Sequence, residues 1–370
     1  MMADLYIGLM SGTSMDGIDA AVAEFDHDQI RLLAHHSHPV PEKLAQTLMH
    51  LALDKPLSSL DILGQADAEL GECFAAATRE LLSKASLEAS SIRAIGSHGQ
   101  TIRHRPDAPR PFTMQIGNAN LIAQKTGITT VADFRGRDIA AGGEGAPLTP
   151  AFHQTLFSST DENRGILNIG GITNITYLPS TKNKKCFGFD CGPGNMLMDA
   201  WIQQHLGKAF DENGDWAASA APHEPLVAQL MDDPFIRKTP PKSSGREHYN
   251  LQWLNQQLVH FRGLEPETIQ ASLCEFTARS IQSSVENFLP DISRLIICGG
   301  GAHNTHLMDS LRRLNPGIAI DSSEFFGLHP DWVEAVAFAW LAKQTIEGKC
   351  GNLPEVTGAS QPVILGAIYQ

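Results

Sequence analysis

The chain has 370 residues, 41 of them acidic and 28 basic, for a formal net charge of −13. With 19% charged and 42% apolar residues the composition excludes a disordered chain. The acidic excess excludes a general nucleic-acid binder, which needs clustered Lys and Arg, yet permits one small anion held by local backbone donors. At roughly 100–200 residues per domain, the length predicts two domains. No apolar run approaches the roughly 18 residues of a membrane helix. The start, Met-Met-Ala-Asp-Leu-Tyr, has neither the basic nor the long apolar region of a signal peptide. Cys73, Cys186, Cys191, Cys274, Cys298 and Cys350 are scattered, without a CxxC pair or finger spacing. They read as reduced thiols, which points to the cytoplasm.

In chain order, Leu5–Met10 is a short apolar strand that enters the turn Ser11–Gly17 and leaves as the strand Ile18–Phe25. His35, His36 and His38 are residue types that can bind a metal, but their polar stretch before Pro39 reads as a solvated strand end. Helical spacing follows over Pro41–Leu53, Ser58–Leu82 and Asn118–Thr126. The Gly- and Ala-rich Arg135–Gly145 stretch reads as a linker or hinge. Ile166–Ile169, Gly170-Gly171 and Ile172–Tyr177 repeat the strand–turn–strand pattern, so a duplicated architecture is expected. A strand then ends at Asp190, before a Gly-Pro-Gly turn and a helix from Met196 to Leu206. Pro240–Gly245 is a loop, and helices are expected over Leu251–Val259 and Glu267–Phe288. Leu295–Cys298 is a buried strand leading through Gly299-Gly300-Gly301 to a helix that ends at Leu314. A last helix spans Trp332–Lys343. Strands alternating with helices place the chain in the α/β class.

Three turns and two strand-end clusters carry candidate chemistry. Gly12-Thr13-Ser14-Met15-Asp16-Gly17 has the Gly-x4-Gly of a Walker A loop, but Ile18-Asp19 stands where Lys-Ser/Thr is required, so a P-loop is excluded. A turn of small hydroxyl residues remains, able to nest phosphate oxygens, with Asp16 and Asp19 able to hold magnesium directly or through water. Gly12 and Gly17 are expected to permit backbone conformations or a close approach that a β-carbon blocks. The turn Gly299–Gly301 suits a nucleotide but fails the full dinucleotide fingerprint, because Asn304 takes the last glycine position. Asp190 is either a general base or a cap of the following turn or helix. His98, within Ser97-His98-Gly99-Gln100-Thr101, and Arg135, within Ala132-Asp133-Phe134-Arg135, are ligand-orienting groups or structural donors. A Ser-His-Asp triad is not expected, since no GxSxG elbow occurs.

Several stretches together resemble the anhydro-N-acetylmuramic acid kinase family. They are Tyr6–Asp19, Ser97–Thr101, Ala132–Arg135, Asn168–Asn174, Phe189–Asn195, Pro240–Glu247 and Val356–Ala359, in order along essentially the whole chain. The resemblance implies the sugar kinase, actin and heat-shock chaperone superfamily: two ribonuclease H-like domains closing over ATP in a central cleft. It implies domain I over residues 1–130 plus about 350–370, and domain II over 131–349. Ala140–Gly145 is then a hinge candidate. The chain is expected to return to domain I near Gly348–Asn352, with Val356–Gln370 packed on it. By resemblance, Gly12, Thr13, Ser14, Met15, Asp16, Gly17, Ile18 and Asp19 form the first phosphate loop. Gly170 and Gly171 lie in the second, and Gly299, Gly300 and Gly301 face the adenosine. The family usually shows Thr where this chain has Cys191, and commonly Gln where it has Glu144. Cys191 gives up a hydroxyl donor but leaves the Asp190 carboxylate in place.

The implied reaction uses ATP, Mg²⁺ and water to open the 1,6-anhydro ring of anhydro-N-acetylmuramic acid and phosphorylate O6, in the recycling of peptidoglycan sugars. Asp190 would be the base, and Glu334 a second carboxylate near the sugar; a first-turn acid favoured by the helix dipole is the other reading of Glu334. His98, Gln100, Asp133 and Arg135 are the remaining candidate sugar contacts. A homodimer is implied, with no nucleic-acid or membrane partner. Two rival readings are a plain sugar or carboxylic-acid kinase and an actin- or chaperone-like ATPase that moves a protein.

Overall fold

The computed structural model describes residues 4–12, 15, 17–26, 29–53, 59–181, 184–246, 248–289 and 291–370. Thr13, Ser14 and Asp16 of the first turn, Glu247 of the Pro240 motif and residues 1–3 of the N-terminal stretch lie outside them. Two compact units form, one from Met1–Leu156 with Trp332–Gln370, the other from Phe157–Asp331. In chain order the first unit contains β1 (Asp4–Met10), β2 (Gly17–Asp26), β3 (Gln29–Pro39), β4 (Ile92–Ser97), β5 (Gln100–Arg105), β6 (Phe112–Ile116) and β7 (Thr130–Ala132). The second contains β8 (Arg164–Ile169), β9 (Ile172–Leu178), β10 (Phe187–Pro193), β11 (Arg294–Cys298) and β12 (Ala319–Ser322), and β13 (Ala367–Tyr369) returns to the first.

The first sheet runs β13-β7-β4-β1-β2-β3 and the second β10-β9-β8-β11-β12. With strands numbered in chain order within each sheet, β5 and β6 forming a separate hairpin, both sheets contain the order 3-2-1-4-5. In both, strand 2 is antiparallel to strands 1 and 3, while strand 4 is parallel to strands 1 and 5. The duplicated architecture expected from the two hairpins is therefore present at the level of whole sheets. β13 adds an antiparallel edge to β7.

Central strands are apolar because both faces are covered: Ile7 and Leu9 of β1, and Leu295 to Ile297 of β11, are fully buried. β3 is an edge strand and alternates in exposure along its length. The helix Leu60–Ala85 starts at Ser59, whose hydroxyl accepts from the Asp61 N–H, and packs Leu70, Phe74 and Leu81 into the first core. In the second unit Tyr177, Trp201, Tyr249 and Phe276 lie in one core.

The helix Val333–Ile346 is apolar almost all round and lies directly on β1 and β4. Glycine makes this possible. A β-carbon at Gly8 would sit 1.7 Å from the Ala335 carbonyl oxygen, and one at Gly96 would sit 2.0 Å from that of Phe338. Backbone meets backbone there.

Three expectations change. Arg135–Gly145 is neither a linker nor at a unit boundary: it holds the helix Gly136–Ala140 and the fully buried Asp138. That carboxylate accepts from Gly145 N (2.8 Å), Asn352 Nδ2 (2.7 Å) and Thr357 Oγ1 (2.7 Å), tying the segment to the C-terminal stretch. The boundaries fall at 156/157 and 331/332 rather than at 130/131 and about 349/350, since β7 pairs with β4 and the helix Val333–Ile346 covers β1. Strand β10 continues through Asp190 to Pro193 instead of ending at Asp190. Among the described residues, no helix is long and apolar enough to cross a membrane.

The glycine contact yields a direct test. Gly96→Ala places a methyl group inside contact distance of backbone and should cost about 3 kcal/mol or more, at or above the usual range for overpacking. Gly64→Ala, in a helix with nothing within 4 Å of the new β-carbon, should instead stabilise by about 0.5–1 kcal/mol. Urea unfolding of both variants measures the difference, and equal midpoints would contradict the packing.

Candidate active site

The turn of the first hairpin begins at Ser11, which is buried. Its hydroxyl donates to Gln100 Oε1 at 2.8 Å and lies 3.3 Å from the Gly17 carbonyl, so the start of β5 is held against the turn. Met15 has a positive φ of 59° and its side chain is buried. Its N–H donates to the Gly12 carbonyl at 3.3 Å. Asp19 pairs with Met10 across the hairpin, next to the buried Ile18. Gly17 departs from expectation: its φ is not in the left-handed region, and among the described residues a β-carbon there would meet nothing closer than Ser37 Oγ at 3.5 Å.

Behind the end of β4, His98 and Arg135 are brought together. His98 Nε2 accepts from Arg135 Nε (3.1 Å) and lies 2.9 Å from Nη2, while Nη1 donates to the Gly145 carbonyl (2.8 Å). Burial, reinforced by the Arg135 charge, holds the imidazole well below the ordinary histidine value, so it is neutral. Both guanidinium donors face Nε2, which places the proton on Nδ1. That buried nitrogen lies by the Gly99 backbone, short of a well-formed hydrogen bond among the described residues. The ring lies on Phe338 at 4.7 Å between centroids. Burial lowers Arg135 to about 10 and the charges of Glu334 and Asp138 oppose the drop, so it remains a cation. Glu334, in the first turn of the helix Val333–Ile346, is thus placed near Arg135. Asp133 stands apart: it is exposed, has a positive φ of 57°, and accepts from Gly136 N at 3.3 Å.

In the second unit, the Gly170-Gly171 turn is docked by the Gly194-Asn195 backbone, whose N–H groups donate to Gly171 O and Gly170 O, each at 2.8 Å. A β-carbon at Gly194 would lie 2.2 Å from Gly170 O. The Gly299–Gly301 turn packs on the same corner: Gly299 takes φ of 80°, and a β-carbon at Gly301 would lie 2.2 Å from Ile169 Cγ2. At Gly300 the space is open, with Asn195 Nδ2 the nearest atom at 3.8 Å.

Asp190 lies opposite Asn174 at a register shift of β10 on β9. Its Oδ2 accepts from Ser243 Oγ and from Ser244 N, both at 2.9 Å, and its own N–H donates to the Lys242 carbonyl at 3.1 Å. The helix Met196–Leu206 has Asn195 at its N-cap, so Asp190 does not cap that helix. Lys242 fixes the loop from below. Its buried Nζ donates to Phe235 O (3.2 Å) and Ile236 O (3.1 Å) and lies among the rings of Phe189, Phe235 and Phe288. The neighbouring Cys191 faces the core beside Ser284, and burial raises its thiol to about 12. Its missing hydroxyl is therefore lost from the core side of the strand.

Lys242, Ser243 and Ser244 were not singled out individually from the sequence, where Pro240–Gly245 reads as a loop. The partner of Asp190 comes 53 residues later, and no local pattern encodes that closure.

Two sheets of one topology, each opening with a hairpin whose turn is built from small residues, give the duplicated, actin-like fold that the resemblance implied. Within it, the chain belongs to the anhydro-N-acetylmuramic acid kinase family, whose model matches residues 4–370. A Coxiella burnetii protein named anhydro-N-acetylmuramic acid kinase is 52% identical over 369 residues, covering 100% of this chain and 98% of that protein. One of the same name from Xylella fastidiosa is 48% identical over 370 residues, covering 99% and 96%. Among solved structures, (R)-2-hydroxyglutaryl-CoA dehydratase component A of Acidaminococcus fermentans aligns with a TM-score of 0.48 at 10% identity, covering 91% of this chain and 96% of that one.

One carboxyl beside this site has a measurable signature. Burial, with the Asp211 charge adding to it, pushes Asp199 up to about 7. The group is protonated in the fold and ionised in the unfolded chain above pH ~4. Its penalty is absent below the unfolded value, grows as pH rises, and is complete above the folded one. Asp199→Asn should therefore raise the thermal midpoint clearly at pH 8 and hardly at pH 4. A pH-independent difference would refute the raised value.

Proposed function

We propose that this chain uses ATP and water to open the 1,6-anhydro ring of anhydro-N-acetylmuramic acid and phosphorylate O6, giving N-acetylmuramic acid 6-phosphate and ADP. Family membership over residues 4–370 supports the substrate class. The anchored carboxylate of Asp190 carries the mechanism: Ser243 and Ser244 orient it through Oδ2, near the end of a strand that packs on the Gly170-Gly171 hairpin.

In this reading Asp190 takes a proton from a water molecule as the water oxygen bonds to C1 of the sugar. The C1–O6 bond breaks, and O6 bonds to the γ-phosphorus as the bond from that phosphorus to ADP breaks. One carboxylate serves both halves, because the oxygen released by the first is the nucleophile of the second. His98, Gln100, Arg135 and Glu334 contact the sugar, with Asp133 at the margin. Arg135 supplies positive charge and His98 a neutral Nδ1–H donor.

The turn Gly12, Thr13, Ser14, Met15, Asp16, Gly17, Ile18 and Asp19 takes phosphate oxygens, as do Gly170 and Gly171, while Gly299, Gly300 and Gly301 border the adenosine. The open space at Gly300 suits a flat ligand better than the filled space at Gly301 does. Asp19, half-buried at the turn end of β2, is a hard oxygen donor of the kind Mg²⁺ takes, and with Asp16 it would hold the ion. Bound there, Mg²⁺ neutralises phosphate charge. The protein works in the cytoplasm as a homodimer, without nucleic-acid or membrane partners.

Asp190→Asn tests the assignment. Asn keeps the shape and can accept from Ser243 and Ser244, but it cannot take a proton from water. Sugar and ATP binding, measured by calorimetry, should persist while turnover falls by about 10²–10⁴-fold. Near-normal turnover would refute the base. With wild type in ¹⁸O-labelled water, mass spectrometry should find label on C1 of the product. Unlabelled product would identify a plain sugar kinase instead.

A further inference from the structure

In β3 the run His35-His36-Ser37-His38 alternates faces. His35 stacks on Trp332, with ring centroids 4.4 Å apart. His36 and His38 turn the other way and meet Glu80 of the helix Leu60–Ala85. One oxygen, Glu80 Oε2, lies 2.7 Å from His36 Nε2 and 3.1 Å from His38 Nδ1. All three possible ligand atoms lie within 4.8 Å of one another. The histidine side chains are only 10% and 17% exposed, whereas that of Glu80 is 49% exposed. The imidazoles are thus held in place, and solvent reaches the cluster from the carboxylate side.

We propose that His36, His38 and Glu80 bind one divalent transition-metal ion of the zinc type, clamping the edge strand β3 to the helix Leu60–Ala85. Two imidazoles and a carboxylate are a donor set for Zn²⁺, Co²⁺ or Ni²⁺, with a fourth position left to water. The set is unlike the all-oxygen shell that Mg²⁺ takes, so the site is distinct in chemistry from the phosphate turn. With metal–nitrogen distances of about 2.0–2.1 Å, the edges of a tetrahedron are about 3.3 Å. The nitrogen–oxygen distances of 2.7 and 3.1 Å need to open by about 0.6 and about 0.2 Å, and the two nitrogens, within 4.8 Å, settle to the same edge.

Lys84 sets the affinity. Its Nζ lies 2.8 Å from His36 Nδ1, and an ammonium can only donate. The His36 proton is therefore on Nε2, directed at Glu80. Binding moves that proton to Nδ1, where it confronts the Lys84 charge, so the lysine must turn into solvent. No bond to carbon changes and no electron is transferred; the histidines change tautomer and the ion exchanges water for three protein ligands.

Chelator-treated full-length protein, titrated with Zn²⁺ by calorimetry and with Co²⁺ by visible absorption, tests the site. Wild type should bind one ion per chain, with a Co²⁺ spectrum of four-coordinate intensity and a rise in thermal midpoint. His38→Gln and Glu80→Gln should each weaken binding at least about ten-fold and abolish that rise. Circular dichroism of the metal-free variants confirms folding. Lys84→Met keeps all three donors and should bind several-fold more tightly. No stoichiometric binding by wild type, or equal binding by the folded His38 and Glu80 variants, would overturn the proposal and leave a hydrogen-bonded network of Lys84, His36, Glu80 and His38. If the ligand variants fail to fold, Lys84→Met decides: unchanged or weaker binding overturns the site.

Discussion

The first unit depends on a contact between two backbones. The helix Val333–Ile346 reaches β1 and β4 only because Gly8 and Gly96 present no side chain toward it. That approach fixes the helix in height and rotation. Phe338 then lies under the His98 ring, and Glu334 comes near Arg135. The order continues outward through hydrogen bonds: Arg135 to the Gly145 carbonyl, Gly145 N–H to Asp138, and Asp138 to Asn352 and Thr357. A polar cluster built on packed backbone is held by the fold itself, which is what preorganised recognition requires. The stretch that looks like a linker in composition is one of the most constrained in the unit.

The second unit reaches a comparable result by another route. Its carboxylate is positioned by a loop, and the loop is held by a buried ammonium. Burial pulls Lys242 below the ordinary lysine value, and two carbonyl oxygens and three ring faces offset the lost hydration. The lysine carbonyl receives the Asp190 N–H, and the next two residues supply both donors to Asp190 Oδ2. Backbone and side chain of Asp190 are thus fixed by three consecutive residues.

Strands and long helices were legible because burial writes a period into the sequence. β1, β8, β11 and the helix Pro266–Phe288 lie within a residue or two of their expected bounds. The duplication was legible from two glycine turns, since each hairpin fixes the first two strands of its sheet. Pairings across long separations were not. Nothing near Asp190 announces Ser243, and nothing near Asp138 announces Thr357. The histidine run reads as a solvated strand end because Glu80 lies on another element. Glycine was read for conformational freedom or close approach at Gly12 and Gly17, yet Gly8 and Gly96 are where the missing side chain matters, a property of the partner helix. At positions 144 and 191 the resemblance implies another residue. Glu144 is held through its backbone N–H to Thr357 O with its side chain exposed, and Cys191 is turned into the core.

The two donors on Asp190 Oδ2 bear on the role proposed for that carboxylate. They fix the orientation of the carboxylate relative to the strand. For an ordinary glycoside hydrolase the pair would demand a second carboxyl group to protonate the leaving oxygen. In the proposed reaction O6 departs toward phosphorus and needs no proton, so that acid is dispensable. In that proposal orientation of the carboxylate matters most, because the oxygen leaving C1 is captured by phosphorus instead of by a proton. Orientation is what the Lys242-Ser243-Ser244 loop provides, and the coupling of the two half-reactions makes orientation worth more than strength.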